Sequence, residues 1–405
     1  MVMRLLFLKI IFIFFVFQPV FALQISGEKH FVDINSLSVP YATKSVANSY
    51  NFIRESSCLL KVTKNFQIDF FAKNLDGPRN IKVASNGDVF VVESYSGKIK
   101  VLRDNDNDGK SDVENIFAKG FNKPFGIDIY NNFLYIADTE FIWKIPYLPG
   151  DLIQQSKAIK VTKPNALGDS YGHWTRNIAI KEDKIYITIG SRGNIEIEEY
   201  PRATIQQLDL ITKKQINFAT GIRNAIGLDF HPITKELFAV VNERDGMGDD
   251  LVPDYFSRIN KNDFFGWPYY YLGKNIQPKI TIPENFKKIL VNTPDVLFKS
   301  HSAPIDMIFY NKKQFPKQYY GNAFVALHGS WNSSKPSGYM VVMVPFKNNK
   351  PVGNYESFVT GFWFSGNKEA QVCGRPAGLG LSNDGSLLIS DDIGNTIWRV
   401  YYSDN

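Results

Sequence analysis

The sequence predicts an all-β protein: a six-bladed β-propeller of four-stranded antiparallel blades, preceded by a signal peptide. Three observations carry this. A loop containing Gly, Pro or Asn leads into or through an alternating strand six times, at Pro78 to Val83, Pro124 to Ile129, Thr175 to Ile180, Ala225 to Phe230, Pro304 to Phe309 and Pro376 to Leu381. The anchors Ile81, Ile127, Ile178, Leu228, Met307 and Leu379 lie 46, 51, 50, 79 and 72 residues apart, and a period near 50 is that of a propeller blade. Aromatic residues make up 14% of the chain, including 32 Phe and 20 Tyr, which favours pleated sheet. The period of 3.6 that a solenoid of helix pairs needs is absent, and a β-sandwich would not repeat six times.

The elements follow in order. Met1 to Ala22 reads as a secretory signal, with Arg4 and Lys9 near the start, an apolar run from Ile10 to Phe17, and Val20-Phe21-Ala22 as the cleavage site. Eight apolar residues are too few to span roughly 30 Å of hydrocarbon, so a secreted or periplasmic protein that does not span the membrane after cleavage is expected. Residues 23–65 form an N-terminal extension, polar and irregular as far as Leu60, which is expected to wrap the outside. Residues 66–405 are the propeller domain. Its first strand, Phe66 to Phe71, is expected to join the last blade and close the ring.

Within each copy a turn and a second strand follow the first, as in Asn86-Gly87 before Asp88 to Glu93 and Asp384-Gly385 before Ser386 to Asp391. Third strands are expected at Lys98 to Leu102, Phe141 to Ile145, Ile205 to Leu208, Tyr255 to Asn260, Tyr339 to Met343 and Thr396 to Val400. The two long spacings require insertions, at Asp250 to Ser300 and Trp331 to Cys373, and such excursions sit on the surface where specificity resides. The chain has only two cysteines, Cys58 and Cys373, flanking the expected closure. An oxidising compartment suits a disulfide between them, although spacing alone leaves their approach open. The net charge of +6 falls by two when Arg4 and Lys9 leave with the signal, too weak an excess to imply nucleic acid.

In a propeller, the loops entering each first strand and those leaving each second strand share one end of the channel. Entering loops bring Arg79, His173, Arg176, Arg223, Asn224, His301 and Arg375. Exiting loops bring Glu93, Asp138, Arg192, Glu243, Arg244, Asp245, His328, Asp391 and Asp392. Three of the five histidines fall here, and imidazole is the natural proton acceptor near neutrality. Arg223 and Arg375 offer bidentate forks for carboxylates, or pair with the nearby acids. The run Glu243 to Asp250, with Asp254, concentrates hard oxygen donors and flexible glycines, which suits calcium or a solvated loop and disfavours zinc. Asp104-Asn105-Asp106-Asn107-Asp108-Gly109 with Asp112 is half of an EF-hand loop, lacking Glu at its twelfth position; it reads as a polar turn or a secondary calcium site. There is no Gly-rich phosphate cradle and no Gly-x-Ser-x-Gly elbow, which weighs against nicotinamide chemistry and serine hydrolysis.

At Gly172-His173-Trp174-Thr175-Arg176-Asn177, Gly221-Ile222-Arg223-Asn224, Asn242 to Asp245 through Asp249 to Asp254, Phe265-Gly266-Trp267-Pro268, His328-Gly329-Ser330-Trp331-Asn332 and Gly374-Arg375-Pro376, the chain resembles the glucose/sorbosone dehydrogenase family. These are exported sugar dehydrogenases that use pyrroloquinoline quinone (PQQ), and the resemblance runs from about Phe66 to Val400. It implies that His173 is the catalytic base, with Arg223 acting beside it. It also implies that Arg223, Asn224, His328, Ser330 and Arg375 bind PQQ, and that Arg244, Gly246, Met247, Gly248, Asp249 and Asp250 surround a calcium ion, largely through backbone carbonyls. A lysine that soluble members place near His328 and Ser330 has no counterpart here. The expected partners are a sugar and an electron acceptor. Two other readings stay open: a calcium-dependent lactonase, against which the anion-binding arginines argue, and an exported binding propeller without catalysis.

Overall fold

A computed structural model describes residues 24–54 and 58–403; the expected signal peptide lies outside them. Strand dominates, and helix among the described residues is confined to Glu284–Lys287 and the 3-10 turns Ile34–Ser36 and Lys317–Tyr319. No helix there is long and apolar enough to cross a membrane.

Six antiparallel sheets carry the fold. The first pairs Pro78–Val83, Val89–Glu93, Lys98–Arg103 and Val113–Lys119; the second Gly126–Tyr130, Phe133–Ala137, Ile142–Pro146 and Ile159–Lys160; the third Ile178–Lys181, Lys184–Ile189, Thr204–Asp209 and Gln215–Thr220. The fourth pairs Asn224–Phe230, Leu237–Asn242, Tyr255–Ile259 and Val296–Leu297, and the fifth Pro304–Phe309, Ala323–Leu327, Met340–Val344 and Tyr355–Thr360. The sixth joins Pro376–Leu381, Leu387–Asp391 and Thr396–Tyr402 to Phe66–Ala72 from the other end of the chain. The first strand of each sheet contacts the first strands of the sheets on either side, and the sixth returns to the first.

Alternation explains the packing, because a strand with apolar residues at every position can serve two neighbouring sheets at once. Phe90 and Val92 point into the layer shared with Ile127, Leu134 and Ile136 of the second sheet, whereas Val89 and Val91 face Leu388 and Ile397 of the sixth. The closing strand is fastened by Phe66, whose ring meets Phe315, Tyr319, Phe358 and Tyr402 edge to face. Near the axis, neighbouring first strands approach closely enough at Gly126, Gly227 and Gly378 to exclude a side chain there. A Cβ on Gly378 would stand 2.2 Å from the Arg79 carbonyl oxygen.

The N-terminal extension does more than wrap the outside. Lys29–His30 and Lys61–Val62 both pair with Tyr355–Thr360, and Tyr50–Phe52 runs parallel to Ala370–Val372. Between them the segment crosses the loops at the end of the channel where the charged residues converge. The Tyr41 amide donates to the Met247 carbonyl, and Asn48 Nδ2 donates to the Ser333 carbonyl. Cys58 and Cys373 form a disulfide, with Cα atoms 5.8 Å apart.

Candidate functional site

At the charged end of the channel, a cavity of about 190 Å³ is lined by His173, Arg223, Asn224, Asn242, Glu243, Asp245, Asp254, His301, Ala303, Trp331 and Asn332. These come from the loops entering the third, fourth and fifth sheets and leaving the second strands of the fourth and fifth. The chain positions them by loop geometry rather than by a local motif.

His173 follows Gly172, which takes φ +70° against the Arg192 carbonyl, so the loop turns sharply just before the imidazole. His173 Nδ1 lies 2.8 Å from the Ser191 carbonyl, an oxygen that only accepts, so this nitrogen carries the proton. Nε2 is thereby left with its lone pair. Burial, followed by the charge of Arg223, lowers the His173 pKa to about 4, which keeps the ring neutral near pH 7.

Arg223 donates to the Glu243 carbonyl at 2.6 Å, to Asn194 Oδ1 at 3.0 Å and to Asp245 Oδ2 at 2.8 Å. Its Nε and the Oδ1 of Asn224 are buried without a partner. Asp245 also accepts from Asn332 Nδ2. His301 Nε2 donates to the Gly248 carbonyl at 2.9 Å, and its Nδ1 lies 3.8 Å from Asp245. Burial opposes charge on His301, but Asp245 and the Gly248 carbonyl prevail and raise its pKa. Asp254 is fully enclosed and receives the amides of Glu243 and Ala303; burial pushes it up to about 7.

Across the mouth stands a second group. Asp392 bonds Arg79 Nη1 and His328 Nε2, and Arg375 donates to the carbonyls of His328 and Gly329 while its Cζ sits 4.1 Å from the Tyr50 ring centroid. Burial, then Arg375, lowers His328 to about 4. Arg79 packs over Phe125 and Trp174, and its Nε is buried without a partner.

The sequence-derived residues therefore divide. His173, Arg223 and Asn224 share the cavity; His328 and Arg375 belong to the second group, with their polar atoms largely committed to Asp392, to backbone carbonyls and to Tyr50. Ser330 lines neither, because its hydroxyl accepts the Ser337 amide and closes its own loop. In the expected calcium loop most side chains are turned away from the cavity. The Arg244 guanidinium points away from the mouth, fully buried against Glu243, Gln277 and the carbonyls of Pro268 and Tyr270. The Met247 side chain is in the core, its carbonyl taken by Tyr41, and the Gly248 carbonyl is taken by His301. Asp249 caps Ser334, and Asp250 accepts from Ser38. The physical reason is the N-terminal extension and the neighbouring loop, which satisfy these groups from outside. The Gly246 carbonyl takes no hydrogen bond among the described residues, and the Met247 and Gly248 carbonyls, each accepting one, keep a second lone pair, so these three and the Asp245 carboxylate remain as hard donors.

Sequence reasoning omitted Asn194, Asn332 and Tyr50 from the site. Asn332 ends the motif begun by His328, and that adjacency was a usable signal. The polar Asn194 in an exiting loop and Tyr50 in the irregular extension carried none.

An anionic, carboxylated ring system fits this mouth, since the unpartnered Nε donors of Arg223 and Arg79 are buried around it and would otherwise go unsatisfied, while the unpartnered Asn224 Oδ1 calls for a ligand donor. For a calcium ion the fit rests on the Asp245 carboxylate and the carbonyls of Gly246, Met247 and Gly248. The acidic loop is separate: carboxylates of Asp104, Asp106 and Asp108 approach within 4.8 Å of one another, between two strands of the first sheet and away from both groups.

Comparison with known proteins follows the same outline. The TrAA12-like family model matches residues 60–262 and 276–403, and the glucose/sorbosone dehydrogenase model matches residues 209–330. A protein of Borreliella burgdorferi, itself uncharacterized, is 32% identical over 367 residues, covering 86% of this chain and 92% of that protein. A pyrroloquinoline quinone-dependent pyranose dehydrogenase of Coprinopsis cinerea is 23% identical over 418 residues, covering 84% of this chain but 54% of that enzyme, so the chain spans about half of its length. Among solved structures, the holo PQQ domain of the Coprinopsis cinerea pyranose dehydrogenase aligns with a TM-score of 0.70 at 20% identity, over 88% of this chain and 100% of that one. A calcium structure of a Trichoderma reesei carbohydrate-active enzyme of family AA12 gives 0.74 at 16% identity, over 88% and 100%. At these identities the likeness speaks to the propeller-type fold.

Proposed function

Because the chain belongs to the TrAA12-like family, within the glucose/sorbosone dehydrogenase group, we propose that it is an exported PQQ-dependent sugar dehydrogenase whose six sheets are the blades of one propeller. The observation that carries this reading is the state of His173: neutral, its Nδ1 proton held by the Ser191 carbonyl, its Nε2 free beside the Arg223 guanidinium. A base set against a fixed cation is what oxidation of a hydroxyl-bearing carbon requires.

When bound, PQQ supplies a two-electron hydride acceptor and calcium a positive charge beside it. The chain does the rest. His173 Nε2 takes the proton of the sugar's anomeric hydroxyl as hydride leaves the anomeric carbon, so the sugar becomes a lactone and the imidazole an imidazolium. Arg223 stabilises negative charge that develops next to it, and its unpartnered Nε is a donor already free of water. Asn224 offers a second buried polar atom to the ligand. Across the mouth Arg79, with its unpartnered Nε, would hold a carboxylate with Arg375 beside it, and Asp245 with the carbonyls of Gly246, Met247 and Gly248 would hold the metal.

The test is dye reduction by the purified protein over an aldose panel, with PQQ and calcium together, singly and absent. Activity is expected only with both. His173→Ala is expected to lower turnover about 100-fold or more while leaving PQQ binding intact; unchanged turnover removes His173 as base. A flat panel together with no absorbance change on PQQ addition overturns the dehydrogenase reading.

A further inference from the structure

Asn194 lies in the loop that leaves the second strand of the third sheet, and every polar atom of its side chain is spent on the two groups that flank the proposed base. Its Oδ1 accepts from Arg223 Nη2 at 3.0 Å and from the Asp245 amide at 2.9 Å, and its Nδ2 donates to the Asp245 carbonyl at 2.8 Å. Its own backbone carbonyl accepts Trp267 Nε1 at 2.9 Å, which ties the loop to the insertion of the fourth sheet. The bonds between Arg223 and Asp245 thus have a second, parallel connection through one amide. Without it, Nη1 keeps the Glu243 carbonyl, but Nη2 loses one of its two acceptors and is held by Asp245 Oδ2 alone.

We propose that Asn194 is a positioning residue of this site, holding Arg223 and Asp245 in one arrangement against His173 so that the cation bears on the cofactor and on the base together. The inference rests on the roles given above to His173 and Arg223. The charged groups that face His173 are Arg223, Asp245 and Arg202, the last of which donates to the same Ser191 carbonyl that holds Nδ1. Asn194 touches two of these three directly. An amide in this place is matched to its neighbours as no isostere is: a carboxylate keeps both accepted bonds, loses the donated one and adds a charge, whereas a methyl group loses all three.

The test uses two variants and two measurements on the protein without added cofactor. In an absorbance titration with PQQ, Asn194→Ala is expected to bind about 10-fold more weakly than the parent chain, and Asn194→Asp within about 3-fold of it. In an NMR titration, the His173 imidazole of Asn194→Asp is expected to take up its proton at a pH roughly one unit higher than in the parent chain, because the added negative charge offsets Arg223. A purely structural asparagine would move neither reading in that order. Equal PQQ affinity for all three proteins, or an unmoved His173 midpoint in Asn194→Asp, overturns the proposal. If the parent chain itself fails to bind PQQ, the cofactor reading falls, and the His173 midpoint still decides the role of Asn194. Should Asn194→Ala fail to fold, the His173 midpoint of Asn194→Asp decides.

Discussion

His173 is defined by which of its nitrogens is occupied. With Nδ1 donating to Ser191 and the ring neutral, activity that needs the free Nε2 rises with pH through the His173 value, about 4, and is level from there toward neutrality as far as this group is concerned. The rate of sugar oxidation measured from pH 3.5 to 8 should therefore show its acid limb near pH 4; a limb near the ordinary histidine value of about 6.5 would mean a solvated or different base. Residue by residue, the sequence was a fair guide to which side chains gather and a poor one to where they point. Arg223, in an entering loop, and Arg244, in an exiting loop at the same end of the channel, were both expected at the mouth, yet one faces the cavity and the other is sealed beneath the Phe265 to Gln277 segment. The difference comes from an insertion whose path has no period to read. Asn194 was invisible for a similar reason, since its partners lie 29 and 51 residues away along the chain.

Among the elements, the first strands were legible because a repeated alternation spells them out, and the same alternation turns Asp128, Asp229 and Asp306 inward, where an aspartate is out of place. The structure supplies the reason. Asp128 accepts the Ile180 amide of the third sheet, Asp229 the Phe309 amide of the fifth and Asp306 the Leu379 amide of the sixth, so each stitches its sheet to the next. Together with Lys82, which pairs with Asp128 at 2.6 Å, they line a polar chamber of about 270 Å³ in the channel. Burial raises Asp306 to about 7, above the ordinary carboxylate value of 3.8. A folded-state value raised in this way favours the protonated form. The contribution of Asp306 to stability is thus largest at low pH and is lost as pH climbs from about 4 through 7. Asp306→Asn keeps an acceptor for Leu379 without the charge. Its melting temperature should rise relative to the parent chain as pH goes from 4.5 to 8, equivalent to about 2 kcal/mol, and a constant difference across that range would contradict the buried ionisation.

For the whole molecule, ring closure is the vulnerable point. Phe66→Ala should cost about 3 to 5 kcal/mol in chemical denaturation, because one side chain locks the strand that joins the two ends of the chain to four other rings. Replacing Cys58 and Cys373 with serine should cost about 2 to 4 kcal/mol in the same assay, and a loss of the same size after adding reductant to the parent chain would identify the bond as the cause. The sequence indicated both the closing strand and the cysteines beside it. It did not indicate that the chain between residue 24 and the disulfide would cross the functional end, because that segment is irregular and its contacts are all distant. Closure of this kind also sets an order of events during synthesis. The sixth sheet needs residues 66–72 and 396–402, and the Arg375 loop needs Tyr50 and Cys58, so segments as far apart as the 315 residues between the cysteines must meet before the second group of the mouth is in place. Until Thr396–Tyr402 has been made, the strand Phe66–Ala72 waits without its neighbour in the sixth sheet. The seam is therefore a late step in assembling the ring, and removing Thr396–Tyr402 would leave Phe66–Ala72 without its partner.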